Sequence, residues 1–210
     1  SAFEYYLSNG NSYYIRIGGW DGVVGTGTLT IDPSSGGGNS IWYVDIDNTN
    51  PGSGTDWASA FTDVQDALDV AVNGDQIWIA EGTYLPSDTG GSSDPREASF
   101  RLTDGVEMYG GFMGNELEID LRRPTQFRVF LLGDLNRDDQ KGGDNSENTY
   151  HVVTAEGIFM ASPILDGVYI VGGNANGSDS NKYGGGIIVK ASKGVVPIPC
   201  IVRGCRISNN

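Results

Sequence analysis

Three observations predict an all-β chain. An amphipathic segment runs directly into a short apolar strand, glycine reaches 32 of 210 residues without a collagen period, and later apolar runs are short and end at Gly, Asp or Asn. The architecture expected is a right-handed parallel β-helix with an N-terminal capping α-helix and an N-terminal β-hairpin arm. Its divisions are a strand arm over 1–32, a flexible linker over 33–40, and the β-helix over 41–210 with its capping helix at 57–73.

The cap is the most specific element. Trp57, Phe61, Val64, Leu68 and Ala71 recur at spacings of three and four, the signature of one apolar helix face. Thr55 or Asp56 can cap the start, and Gly74 can end the helix in a left-handed conformation. Ile77 and Ile79 then alternate with Gln76, Trp78 and Ala80, a period-two strand. A helix laid across the first coil keeps the core of a stacked fold dry. Beyond Ile77, inward positions are expected at Ile77, Ile79, Phe100, Leu102, Val106, Val129, Val152, Ile164, Leu165, Val168, Ile170, Ile187 and Ile207. Polar excursions at 87–97, 114–126, 136–148 and 174–183 should leave at coil corners and gather on one face.

In the arm, Tyr13, Ile15 and Ile17 alternate with Tyr14 and Arg16, and a Gly-rich turn precedes a second strand ending in Leu29 and Ile31. This stretch resembles the final hairpin of a small secreted β-sandwich. A hairpin alone is marginal in water, so the arm must dock on its own chain or on a neighbour. Joined to an open last coil carrying Val202 and Ile207, it suits a homo-oligomer or polymer built by strand addition.

The order Tyr43-Val44-Asp45, Trp57-Ala58-Ser59-Ala60-Phe61, Gly74-Asp75 and Glu81-Gly82-Thr83-Tyr84 resembles the head of the pectin-lyase-like β-helices of bacterial surface and secreted proteins. Tyr109-Gly110-Gly111-Phe112, Leu165-Asp166-Gly167, Gly184-Gly185-Gly186-Ile187 and Gly204-Cys205-Arg206-Ile207 continue it. The resemblance implies a secreted or cell-surface setting. It implies activity less firmly, because such folds serve lyases, adhesins and scaffolds alike.

Charge narrows the partners. With 27 acidic and 13 basic residues, the net charge is −14, which disfavours nucleic acid and anionic membranes. No apolar run is long enough to insert in a membrane. Ser1-Ala2 reads as neither an initiator nor a cleavable leader, so a processed product or an excerpt of a precursor is expected.

The sharpest chemical motif is Asp134-Leu135-Asn136-Arg137-Asp138-Asp139. Its D-x-N-x-D spacing gathers side-chain oxygens around a tight loop, as a hard cation such as calcium requires, and Asp144 or Glu147 can complete the shell. Asp139 stands where an EF-hand has glycine, and Asn145 where it has glutamate, so a solvated acidic loop is the competing reading. Asp45, Asp47 and Asp56 form a second oxygen-rich cluster that reads equally well as turn residues.

Hydrolases of the resembling family carry a Gly-His-Gly-like segment, but His151 sits in the strand-like Thr149–Val153 and reads as a structural histidine. The arginines, Arg122 and Arg203 among them, are paired with no acid by sequence alone. Cys200 and Cys205 read as buried thiols, with a disulfide as the alternative. The expected function is therefore an extracellular structural or adhesive protein without enzymatic activity. A polysaccharide lyase or hydrolase fragment, or a glycan-binding module, is the rival.

Overall fold

The computed structural model describes residues 40–139, 143–156, 161–190 and 199–210. The expected arm, with Tyr13, Ile15, Ile17, Leu29 and Ile31, lies outside the described residues.

Twelve short strands lie among the described residues: β1 (Ile41–Val44), β2 (Gln76–Ala80), β3 (Gly82–Tyr84), β4 (Phe100–Arg101), β5 (Glu107–Phe112) and β6 (Val129–Leu132), then β7 (Val153–Glu156), β8 (Ile164–Asp166), β9 (Val168–Val171), β10 (Ile187–Lys190), β11 (Ile201–Arg203) and β12 (Arg206–Ser208). They form three sheets, ordered β1-β2-β5-β8-β11, β3-β6-β9-β12 and β4-β7-β10, and every pairing between them is parallel. From β2 onward the chain visits the three sheets in rotation. From β5 onward each strand therefore pairs with the one three places earlier, while β2 pairs with β1.

Register turns this topology into stacked rows. Ile77, Met108, Leu165 and Val202 are aligned across the first sheet, and Tyr84, Leu131, Ile170 and Ile207 across the second. Apart from Val202 and Ile207, these rows, with Phe100, Val106, Val129, Val152, Val153 and Val168, make the main core. Ten of the thirteen expected inward positions lie in it. Ile164 and Ile187 are half-buried. Ile207 holds the inward register but is 51% exposed, because among the described residues no strand pairs beyond β12.

The expected helix over 57–73 is shorter. A 3₁₀ turn at Trp57–Ser59 is capped by Asp56, and the α-helix α1 covers only Val64–Val70, capped by Asp63. The interruption has a physical cause. Phe61 is extended beside β1, its N–H donating to the Tyr43 carbonyl (2.9 Å) and its carbonyl accepting from Asp45 (2.8 Å). A residue spent on that ladder cannot also close a helical turn. Val64, Ala67, Leu68 and Ala71 still close the core at this end. Gly74 is left-handed (φ 92°), but it stands in the turn past the helix, beside the buried Asp75. The Asp75 carboxylate accepts from Ser40, Val72 and the Trp42 indole at 2.9–3.0 Å.

Alternation in β2 predicts an outward Trp78, yet Trp78 is 2% exposed. A second apolar layer covers it. Trp78 stacks on Phe112 (4.7 Å between centroids, 9° between planes), while Tyr43 packs edge-on against Trp78 and Trp57, and Trp57 lies tilted on Phe112. A bulge between Ile79 and Ala80 skips Gly111, aligning Phe112 with Ala80 on the outer face. Gly111 (φ 103°) is required there, since a Cβ would sit 2.6 Å from the Pro124 nitrogen. Trp57 thus belongs to this outer layer and not to the core cap.

Trp78→Ala should therefore cost as much as a core truncation, about 3–5 kcal/mol, and match Phe100→Ala in urea unfolding. An outward tryptophan on a solvated face would cost within about 0.5 kcal/mol, and that result would remove the outer layer as a stabilising element.

Candidate metal centre and cleft

After β6 the chain leaves the second sheet through Gly133 into the acidic loop. Gly133 is packed so tightly that a Cβ would lie 2.6 Å from both the Gly172 carbonyl and the Thr149 hydroxyl, so Asp134 starts the loop hard against the stack. Asp134 is buried, and its carboxylate accepts from the backbone N–H groups of Asp138 and Asp139, 3.1 Å each. Those two bonds curl the loop, with Arg137 left-handed at its apex (φ 59°).

The curl brings the carboxylates of Asp134, Asp138 and Asp139 together, their ligand atoms within 4.8 Å of one another. Such a trio can hold a metal ion. Asn148, which begins the return to the stack, donates from its amide nitrogen to Asp139 at 2.7 Å. Glu147 beside it is held above the usual carboxylate range by burial, then by the charges of Asp138 and Asp134 and a hydrogen bond with Asp134.

A cleft of about 680 Å³ opens beside the loop. Asp134, Arg137 and Asp139 line it with the amides of Asn145, Asn148, Asn174, Asn209 and Asn210. Three excursions meet at its border through one arginine. Arg96 donates to the carbonyls of Asn148 (2.6 Å) and Asn174 (2.9 Å) and to the Asn176 side chain (2.7 Å), and it lies 4.1 Å over the Tyr150 ring. The excursions around 87–97, 136–148 and 174–183 therefore share a face. The one at 114–126 does not touch this hub; Arg122 within it reaches Asp166 in the first sheet.

The other expected ligands are placed differently. Asn136 is exposed in the loop. Asp144 turns to Ser146, accepting from its N–H (2.9 Å) and hydroxyl (2.8 Å). In the second cluster, Asp56 accepts from the Ser59 N–H and hydroxyl as a cap, and Asp45 accepts from the Asp47 N–H. Those three acids form no ligand trio of the kind seen at Asp134. His151 is buried, with Nδ1 against the Gly184 carbonyl (3.1 Å) and Nε2 against the Asn181 side chain (3.2 Å), which locks a turn. Cys200 and Cys205 are free, half-buried thiols packed against the core; burial pushes Cys200 up to about 11.

A second polar constellation was not readable from the sequence. Asp166, nearly buried, accepts from Arg122 (3.0 Å) and Arg203 (2.6 Å), residues 44 and 37 positions away. Arg122 also lies over the Tyr109 ring, and the Tyr109 hydroxyl donates to Glu107 (2.8 Å). The only sequence signal is the register that aligns Tyr109, Asp166 and Arg203, which no local pattern reveals.

Comparison with known protein families, curated proteins and solved structures finds no match. Among the described residues, no helix is long and apolar enough to cross a membrane.

Burial raises the Asp166 carboxyl, but the hydrogen bonds and charges of Arg122 and Arg203 outweigh it, so it titrates below the ordinary carboxylate range. A depressed folded value contributes stability that is present above the unfolded value and lost as pH falls through the folded one. Asp166→Asn should therefore lower stability at neutral pH and flatten the acid limb of the unfolding profile. An unchanged acid limb in denaturant titrations from neutral pH downward would contradict this role.

Proposed function

We propose that the chain is a helix-capped right-handed parallel β-helix that serves as an extracellular structural or adhesive scaffold, in the manner of pectin-lyase-like folds on bacterial surfaces. The observation carrying this reading is the rotation of the chain through three all-parallel sheets whose apolar rows stack beneath α1. At that end α1 covers the core with Val64, Leu68 and Ala71. Among the described residues, β10, β11 and β12 each have one parallel neighbour, and Val202 and Ile207 of the inward rows are 39% and 51% exposed. The right hand follows from the strong preference of parallel crossovers for that sense.

An unpaired parallel edge with apolar side chains on its inner face is a template for another strand. In the proposed assembly a second copy supplies it, through the strand pattern around Tyr13, Ile15, Ile17, Leu29 and Ile31. A contact between unlike surfaces does not close on itself and builds chains of molecules.

Sedimentation of the full chain across a hundredfold concentration range should show growing oligomers, and deletion of residues 1–38 should leave monomers. Oligomers that persist after the deletion would remove the arm as the joining element, and a full chain that stays monomeric would remove self-assembly.

The cleft supports a subsidiary reading, glycan binding. Five asparagine amides line it, and paired donor and acceptor groups of that kind match sugar hydroxyls. Asn174→Ala should weaken retention on immobilised acidic and neutral polysaccharides several-fold relative to the unaltered chain; equal retention would exclude the cleft as the site.

A further inference from the structure

We propose that the Asp134 loop is a calcium site whose ligand set extends to the side-chain oxygen of Asn148, so that a bound ion ties the excursion to the point where it re-enters the stack. The inference does not depend on the scaffold reading.

The acid trio alone would not carry it. The second observation is Asn148 itself. Its side chain is 2% exposed, its amide nitrogen is held 2.7 Å from the Asp139 carboxylate, and its oxygen Oδ1 is buried with no hydrogen-bond partner. A buried acceptor without a donor is rare in native folds and calls for a partner. Since the nitrogen of the same planar amide touches Asp139, the orphaned oxygen lies beside the acid trio. An electropositive partner at that place satisfies Oδ1 and the three carboxylates together. Glu147, next in the chain, also has a buried oxygen without a partner.

The charge balance points the same way. Arg137, the basic residue of the loop among the described residues, directs its guanidinium to the Thr83 carbonyl (3.4 Å). Among the described residues, none of the ion pairs involves Asp134, Asp138, Asp139 or Glu147. Both Asp134 oxygens accept one backbone N–H each, and a carboxylate oxygen keeps a second lone pair for a metal.

Ligand chemistry selects the ion. Ligand atoms within 4.8 Å of one another can all be reached by one calcium, whose oxygens lie at about 2.3–2.6 Å in a flexible shell. Magnesium demands near-ideal octahedral geometry and gives up its waters reluctantly. A set of carboxylates plus one neutral amide oxygen is also calcium's ordinary company.

The test is calorimetric titration of the chelator-treated 210-residue chain with calcium chloride, beside Asp138→Asn, Asn148→Ala and Asp144→Asn. Asp138 is exposed and its side chain supports no backbone bond, so Asp138→Asn folds and decides the matter even if Asn148→Ala does not fold. The expected result is saturable calcium binding, at least tenfold tighter than magnesium, with at least a tenfold loss in Asp138→Asn and Asn148→Ala and none in Asp144→Asn. The proposal is overturned by a chain that does not bind calcium saturably. It is equally overturned by unchanged affinity in folded Asp138→Asn or Asn148→Ala, or by an equal loss in Asp144→Asn.

Discussion

The constraint on which everything else depends is the parallel register between successive circuits of the chain. A strand two to six residues long buries little by itself, and its backbone groups must find partners on the circuits beside it. Once Ile77 is aligned with Met108, and Met108 with Leu165, the neighbours of every other residue in those strands are fixed as well. Because side chains alternate with a period of two, a slip of one residue would exchange the Ile77 row with the Trp78 row and turn the core outward. Register is therefore both the source of the core and the rule for what appears on the surface.

The outer face of the first sheet shows how far that rule reaches. The row Tyr43, Trp78, Tyr109, Asp166 and Arg203 begins aromatic and ends ionic. Near α1 the row is sealed by Trp57 and Phe112. Further along, the same row carries the Asp166 pairs, held by Arg122 from an excursion and Arg203 from β11. The side chains change because the cover changes. Where a loop lies over the row, aromatic area can be buried; where it thins, charged hydrogen bonds hold successive circuits together. An ion pair of this kind is worth little on a surface, but a nearly buried carboxylate with two guanidinium partners is destabilised strongly when one partner is removed.

What the sequence made legible follows the range of the forces involved. Helix periodicity, strand alternation and glycine turns act over a few residues, and they located α1, the inward rows and the corners. The errors came from contacts across the stack. The segment around Trp57 has helical spacing, but Phe61 is claimed by the β1 ladder, an interaction 18 residues away that periodicity does not register. Trp78 alternates as an outward residue, and only Phe112, moved by a bulge at Gly111, makes it an inward-like one. In the acidic loop the D-x-N-x-D spacing identified Asp134 and Asp138. Asn148 lay beyond any motif, because it meets them only where the excursion returns.

That return gives the loop its structural consequence. Asp134 leaves the stack immediately after Gly133, and Asn148 and Thr149 rejoin it, with the Thr149 N–H donating to the Gly133 carbonyl at 2.9 Å. The two feet of the excursion thus touch, and the carboxylates of Asp134, Asp138 and Asp139 gather beside them. The carboxylates of Asp134, Asp138 and Asp139, held this close, repel one another. The fold opposes that repulsion from outside. Arg96 clamps the Asn148 carbonyl, Asn174 donates to the Asn145 carbonyl at 2.6 Å, and the backbone N–H groups of Asp138 and Asp139 hold Asp134. All of these contacts fix the backbone of the loop and leave the negative charge at its centre in place. A frame that gathers carboxylates in this way can hold a metal ion, and the stacked circuits beneath supply the rigidity that keeps the frame from relaxing open.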